Sequence, residues 1–168
     1  MTKKIVQRNS RVLRQIAVPV KVEDIDSDKI AKILQDMNEA LDACFDGVAI
    51  AAPQISVPLR IFTVSGKALP KRGNEWQPNQ VYINPVIKKI SSKKVTMEEG
   101  CLSVRWFYGE TKRADKITIE AYNTKGNKFS KNSSGLLAQI FQHEMDHLNG
   151  ILFIDKATNL REMKPQNP

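Results

Sequence analysis

The chain holds two histidines, and they stand four residues apart in Gln142-His143-Glu144-Met145-Asp146-His147-Leu148-Asn149-Gly150. A spacing of four places two side chains on one face of an α-helix, one turn apart. Two imidazole nitrogens presented in this way can ligate one metal ion, and a glutamate directly after the first can reach a water beside that ion. That is the chemistry of a metal-assisted hydrolase. The simpler alternative is a polar helix face that happens to carry two histidines.

The element that must position these groups is a helix. Asn149-Gly150 is a stop signal, and Asn132-Ser133-Ser134 offers N-cap side chains. Leu136, Ile140, His143 and His147 form one stripe at helical spacing, with Leu137, Phe141, Glu144 and Leu148 beside it. Together they make an apolar face that points both histidines and Glu144 into the core. Buried imidazoles and a buried carboxylate are costly without partners. A metal ion with a bound water would satisfy all three; local hydrogen bonds within the core are the alternative.

A catalytic metal commonly has three protein ligands and one open position. No further histidine remains, and Glu162, the only acidic residue downstream that could serve as a glutamate ligand, lies in a polar tail. Upstream, Cys101 is a soft donor in a chain with only one other cysteine, Cys44. A Cys/His/His set suits iron(II), nickel, cobalt or zinc. A buried structural thiol is the other reading of Cys101, and Cys44 reads as a core residue at the end of the first helix.

The chain of 168 residues is long enough for one domain with a sizeable core. Two cysteines make no disulfide framework, which points to a reducing compartment. The N-terminus has charge but no apolar segment behind it, so neither a signal peptide nor a membrane span is expected, and the cytoplasm is the expected location. A net charge of +8 could favour acidic partners, including RNA or an anionic membrane surface, against the plainer reading of a solvated basic surface. No basic block interleaves with aromatics, so a dedicated nucleic-acid site is not expected. A monomer is the expectation.

Residues 1–20 read as an irregular arm closed by Pro19. Asp26 or Ser27 can cap a helix from Asp28 to about Cys44, with Ile30, Ile33, Leu34, Met37 and Leu41 at helical spacing. Small residues dominate Gly47-Val48-Ala49-Ile50-Ala51-Ala52-Pro53-Gln54, where another backbone could approach closely. Strands are expected at 59–64, at 81–84 and 86–90 with a break at Pro85, at 95–103, at 117–122 and at 151–154. Ser65 to Gln80 reads as a surface loop, Trp106-Phe107-Tyr108 as a loop, Asn123 to Asn127 as a hairpin turn, and residues 155–168 as a frayed polar tail. Several short strands and two separated helices predict an α+β fold, mostly antiparallel, packed around the histidine-bearing helix.

Three of these stretches stand in a telling order: Gly47 to Gln54, then Glu99-Gly100-Cys101-Leu102-Ser103, then Gln142-His143-Glu144-Met145-Asp146-His147. Together they resemble the three signature motifs of the peptide deformylases, and the resemblance runs from Pro19-Val20 to the segment after Gly150. Gly109 and Arg113 also fit that family's pattern. The resemblance implies a hydrolase that removes the formyl group from the initiator methionine of nascent bacterial and organellar polypeptides. It implies a metal on Cys101, His143 and His147, commonly iron(II), with zinc or nickel often found instead. Glu144 would act as general base and then general acid, and the Gln54 side chain and the Leu102 backbone N–H would bind the developing oxyanion. Gln54 would otherwise read as a surface residue at a loop end. Val48, Ala49 and Gly100 would lie along the substrate; Leu136 and Ile140 are candidates to line an apolar methionine pocket or are ordinary core residues, and Tyr108 and Trp106 would flank its mouth or are simple loop aromatics. Glu99 and Arg113 resemble a pair that buttresses the cysteine block.

Two departures stand out. Ala49 replaces a second glycine of the first motif, adding a Cβ at the pocket edge. Arg105 stands where a proline is common, which would leave the Trp106–Tyr108 loop looser. The rival readings are a zinc peptidase with a different third ligand and a long cleft, and a metal-binding relative without activity. Glu144 speaks against the latter, since a structural site has no use for a base beside an open position.

Overall fold

A computed structural model describes residues 2–165. The first helix, α1, spans Asp28–Asp42. Ser27 caps it, its Oγ accepting the Ile30 N–H at 3.4 Å. Ile30, Leu34, Met37 and Leu41 face the core, and Cys44 lies just past the helix end, half-buried at the margin of the same cluster.

Five strands, β1 (Ala49–Ala51), β2 (Ile61–Val64), β3 (Gln80–Ile90), β6 (Lys116–Tyr122) and β7 (Lys128–Ser134), form an antiparallel sheet in the order β1-β2-β3-β6-β7. Three more, β4 (Lys94–Gly100), β5 (Phe107–Ala114) and β8 (Thr158–Glu162), form a smaller antiparallel sheet in the order β4-β5-β8. The second helix, α2 (Gly135–Leu148), carries the histidines. The expected α+β class with mostly antiparallel strands is what the chain adopts.

Alternation explains the layering. On β1 to β3, Ile50, Ile61 and Ile83 point toward α1, while Ala49, Ala51, Phe62 and Tyr82 point toward α2. Both faces are covered there, so β1 and β2 are buried throughout, and β3 is buried at Tyr82 and Ile83 before its far end runs out into solvent. Phe62 stacks on Tyr82 at 4.7 Å between centroids, and Phe141 of α2 meets Tyr82 edge-on at 5.1 Å. Each of these buried aromatics contributes roughly 2–3 kcal/mol of transfer free energy. The three rings clamp α2 onto the large sheet.

Several local expectations are corrected. The segment around Pro85 is one strand: Asn84 takes φ +51° and the register shifts between Ile83 and Val86, so the missing proline N–H falls at an irregularity. Asn132 and Ser133 belong to β7, and Ser134 precedes α2 without a side-chain cap bond. Phe107 and Tyr108 open β5. Residues 151–154 form no strand; Phe153–Asp155 is a 3-10 turn with Leu152 and Phe153 buried. The polar tail contributes β8 to the small sheet, while its last three residues lie outside those described. The arm is anchored, with Arg11–Arg14 in a 3-10 turn and Leu13 and Ala17 buried.

Gly150 ends α2 at φ +74°, and a Cβ there would meet the Arg14 carbonyl oxygen at 2.7 Å. The arm therefore passes directly over the end of the histidine helix.

Candidate metal centre

Cys101 follows the end of β4 in a tight turn closed by the Val104 N–H to the Cys101 carbonyl, 3.0 Å. The Ser103 N–H points at Cys101 Sγ at 3.4 Å. His143 and His147 come from α2 with ring centroids 4.9 Å apart. His147 Nε2 lies 3.2 Å from Cys101 Sγ. One donor atom from each of the three residues lies within 4.8 Å of the others. Four-coordinate sites with bonds of about 2.0–2.3 Å space their ligand atoms roughly 3.3–3.6 Å apart, so the cluster has the size to hold one ion. The thiol and two imidazoles are the donor chemistry of a divalent transition metal. Glu144 Oε2 and His147 Nδ1 are buried with no protein partner among the described residues. The set fits a metal ion.

Glu99 organises what lies behind the ligands. It accepts from Arg113 Nε at 3.0 Å and Nη2 at 2.5 Å, from Thr111 Oγ1 at 2.6 Å and from Gln139 Nε2 at 3.3 Å. His143 Nδ1 donates at 2.6 Å to Oε1, the oxygen that also takes Arg113 Nη2. That bond fixes Nδ1 as the protonated nitrogen and leaves Nε2 free to ligate. Arg113 also donates to Asp146 at 2.7 Å, and Lys156 reaches Asp146 at 2.8 Å. Burial alone would raise the Glu99 pKa, but the hydrogen bonds from His143 and Arg113 outweigh it and hold the carboxyl well below the usual range. Burial holds the His147 imidazole well below its usual value. Burial pulls His143 the same way, but the Cys101 sulfur and the Glu99 carboxylate carry it above.

Glu144 sits on the same helix turn, 3% exposed. Burial pushes its carboxyl up to about 7. A carboxyl near neutrality can both take and return a proton.

Gln54 is 1% exposed, so it is a core residue. Its Oε1 accepts the Ala51 N–H at 2.8 Å, and its Nε2 donates to Ser103 Oγ at 3.1 Å and faces Cys101 Sγ at 3.8 Å. The amide is thereby oriented with its donor side toward the cysteine. Leu102, 8% exposed, follows in the same turn.

These groups open onto a cavity of about 260 Å³. Its walls include Val48, Ala49, Gln54, Gly100, Cys101, Leu102, Trp106, Tyr108, Leu136, Ile140, His143 and Glu144, so all of the sequence-predicted site residues except His147 border it. His147 lies beneath, 1% exposed. Ile140 is buried, but Leu136 is 53% exposed and stands at the rim, against the expectation that its whole stripe points inward. Leu136 is the second residue of the helix, in its first turn, before the buried run that starts at Ala138. Gly100 is required by Tyr108: a Cβ would stand 2.7 Å from the ring.

Arg105 does not loosen its loop. Its guanidinium pairs with Asp46 at 2.5 and 3.2 Å and lies 4.5 Å from the Trp106 ring centre. Sequence reasoning missed Asp46, the Glu99–His143 bond and Gln139. Gln139 lies one turn before His143 on the same helix face, a spacing that could have revealed it. Nothing in the sequence marks Asp46 as the partner of Arg105.

The chain matches the family model of polypeptide deformylases over residues 2–163. It is 42% identical over 151 residues to a peptide deformylase of Rhizobium meliloti, covering 89% of this chain and 82% of that one. It is 40% identical over 158 residues to a peptide deformylase of Carboxydothermus hydrogenoformans, covering 94% of each. Among solved structures, peptide deformylase from Thermotoga maritima superposes with a TM-score of 0.82 at 33% identity, covering 94% of this chain and 99% of that one. A Met-Ala-Ser-bound class I type b peptide deformylase from Acinetobacter baumannii gives 0.83 at 30% identity, covering 93% and 99%. With this likeness spanning both sheets, the cysteine turn and the histidine helix, the chain belongs to the polypeptide deformylase family.

Proposed function

We propose that this chain hydrolyses the N-formyl group of formyl-methionine at the start of nascent polypeptides, releasing formate and a free amino terminus. The observation that carries the reading is the convergence of Cys101, His143 and His147 with the buried carboxyl of Glu144 at one apolar cavity. The Met-Ala-Ser seated in the Acinetobacter deformylase supports a methionine-led substrate.

Cys101, His143 and His147 would hold the ion, iron(II) in the cell by our reading. When bound, it supplies Lewis acidity that acidifies water toward neutrality and polarises the formyl oxygen. The chain's own residues do the rest. Glu144 takes a proton from the attacking water as the new C–O bond forms and returns it to the amine nitrogen as the C–N bond breaks. Gln54 Nε2 and the Leu102 N–H stabilise charge on the formyl oxygen, each in a dry site where such a donor is worth about 3–4 kcal/mol. Gln54 serves because a neutral amide donates without adding charge. A cavity of this size with Ile140 at its wall and Leu136 at its rim accepts one unbranched side chain rather than a long segment. Chain edges at Val48, Ala49 and Gly100 lie beside it for the substrate backbone.

We further place the protein in the cytoplasm as a monomer; among the described residues no helix is long and apolar enough to cross a membrane. Its positive charge would favour a transient ribosome contact. The test is formate release from a formyl-Met peptide by iron-loaded protein under anaerobic conditions. Absence of formate from folded, metal-loaded protein would overturn the reading.

A further inference from the structure

The arm before α1 touches the site at two places that the chemistry above leaves unused. The Val6 N–H donates to the backbone carbonyl of Gln54 at 2.9 Å. The next residue, Gln7, donates from Nε2 to the Leu102 carbonyl at 3.0 Å, and its Oε1 accepts the Arg105 N–H at 3.3 Å. One carboxamide thus spans the turn from Leu102 to Arg105. Its neighbour's backbone holds the residue that carries the other oxyanion donor. Ile5 and Val6 are half-buried against two different core clusters, so the strand of arm that delivers these bonds is seated on both sides.

We propose that Val6 and Gln7 form a positioning strap for the oxyanion donors, an inference that rests on the deformylase reading. The peptide plane between Leu102 and Ser103 is gripped at both ends. Its carbonyl takes the Gln7 amide, and its N–H points at Cys101 Sγ. Fixing that plane fixes the Leu102 Cα, and with it the direction of the preceding N–H that faces the formyl oxygen. It also sets the N–H···S contact on the cysteine. Gln7 neither borders the cavity nor belongs to the three candidate ligands, so it would act only through Leu102 and Ser103. Pre-organised donors lose most of their effect when tilted by a fraction of an ångström.

The test uses the full chain with Gln7→Ala, Gln7→Glu and Gln7→Lys, and Lys4→Ala as a control on the same arm. Glu keeps the acceptor for the Arg105 N–H and loses the donor to the Leu102 carbonyl; Lys restores a donor. Removal of a whole oxyanion donor costs about 100- to 1,000-fold, so misdirecting one is expected to lower kcat about 10-fold. Gln7→Ala and Gln7→Glu should both show that loss with KM within about twofold, while Gln7→Lys recovers most of the rate and Lys4→Ala retains it. In cobalt(II)-loaded protein the thiolate charge-transfer band should shift in the Ala and Glu variants and stay in place in the other two. Wild-type kcat in Gln7→Glu, a loss confined to KM, or an unmoved band would each overturn the strap. Wild-type protein that releases no formate would overturn the deformylase reading instead, and the cobalt band would still decide the role of Gln7.

Discussion

Replacing Arg113 by methionine keeps the length of the side chain and removes its charge. The guanidinium is 4% exposed and the Glu99 side chain 5%, so the pair lies out of water. Breaking a buried pair by removing one partner costs about 3–5 kcal/mol, because the other charge stays buried. Glu99 keeps its bonds from Thr111, Gln139 and His143, and Asp146 keeps Lys156, so the lower end applies. A loss of about 3 kcal/mol in a domain of this size lowers the unfolding midpoint by roughly 6–12 °C. Circular dichroism melting of metal-loaded protein, with metal content quantified alongside, measures it. The double variant Arg113→Met/Glu99→Gln should cost less than the sum of the singles by at least about 1 kcal/mol. A melting point within about 2 °C of wild type, or additive singles, would mean that the buried network does not hold the cysteine sheet to the histidine helix.

Other outcomes are open to direct measurement. Glu144→Gln should retain one metal per chain by elemental analysis yet lose at least about 100-fold in kcat, since it cannot carry the proton. Cys101→Ser, which replaces the soft ligand, should lose most of its bound metal on anaerobic dialysis where wild type keeps it. Gly150→Ala should cost at least about 2 kcal/mol in urea unfolding, for its positive φ and the Arg14 carbonyl together, whereas Gly126→Ala, with positive φ but open space, should cost about 1 kcal/mol. Arg14 donates to Asp155, and that bond outweighs burial to hold the carboxyl below its usual 3.8. A depressed carboxylate contributes stability above its unfolded pKa and loses it as pH falls through the folded value. Both groups are more than a third exposed, so Arg14→Gln should cost under about 1 kcal/mol at pH 7, and the difference from wild type should vanish toward pH 2.

The histidine helix was legible because its apolar spacing and its Asn149-Gly150 stop are both local signals. Cys101 was legible as a ligand candidate because cysteine is scarce in the chain. Strand β7 was not, since Lys-Phe-Ser-Lys-Asn-Ser-Ser holds one apolar residue and its strand state comes from pairing with β6. For the same reason β8, exposed at every position, exists only on the edge of β5. Residues 151–154 misled in the opposite sense: four apolar residues look like a strand, but Leu152 and Phe153 are buried against the arm and the cysteine turn, which no local pattern encodes. The position of Gln54 in the core and the reach of Glu99 to His143 are likewise tertiary facts.

The cysteine ends a strand of the small sheet and the histidines lie on the helix that closes the large one. Cys101 and His147 are 46 positions apart, with β5, β6 and β7 between them. A cross-link between them that persisted in the unfolded chain would close that stretch into a ring. By the loop-closure arithmetic used for cross-links, a ring of that length removes conformational entropy from the unfolded chain worth about 4 kcal/mol. The same three residues that hold a reactive centre are thus placed where a tie between them would also staple the two sheets together.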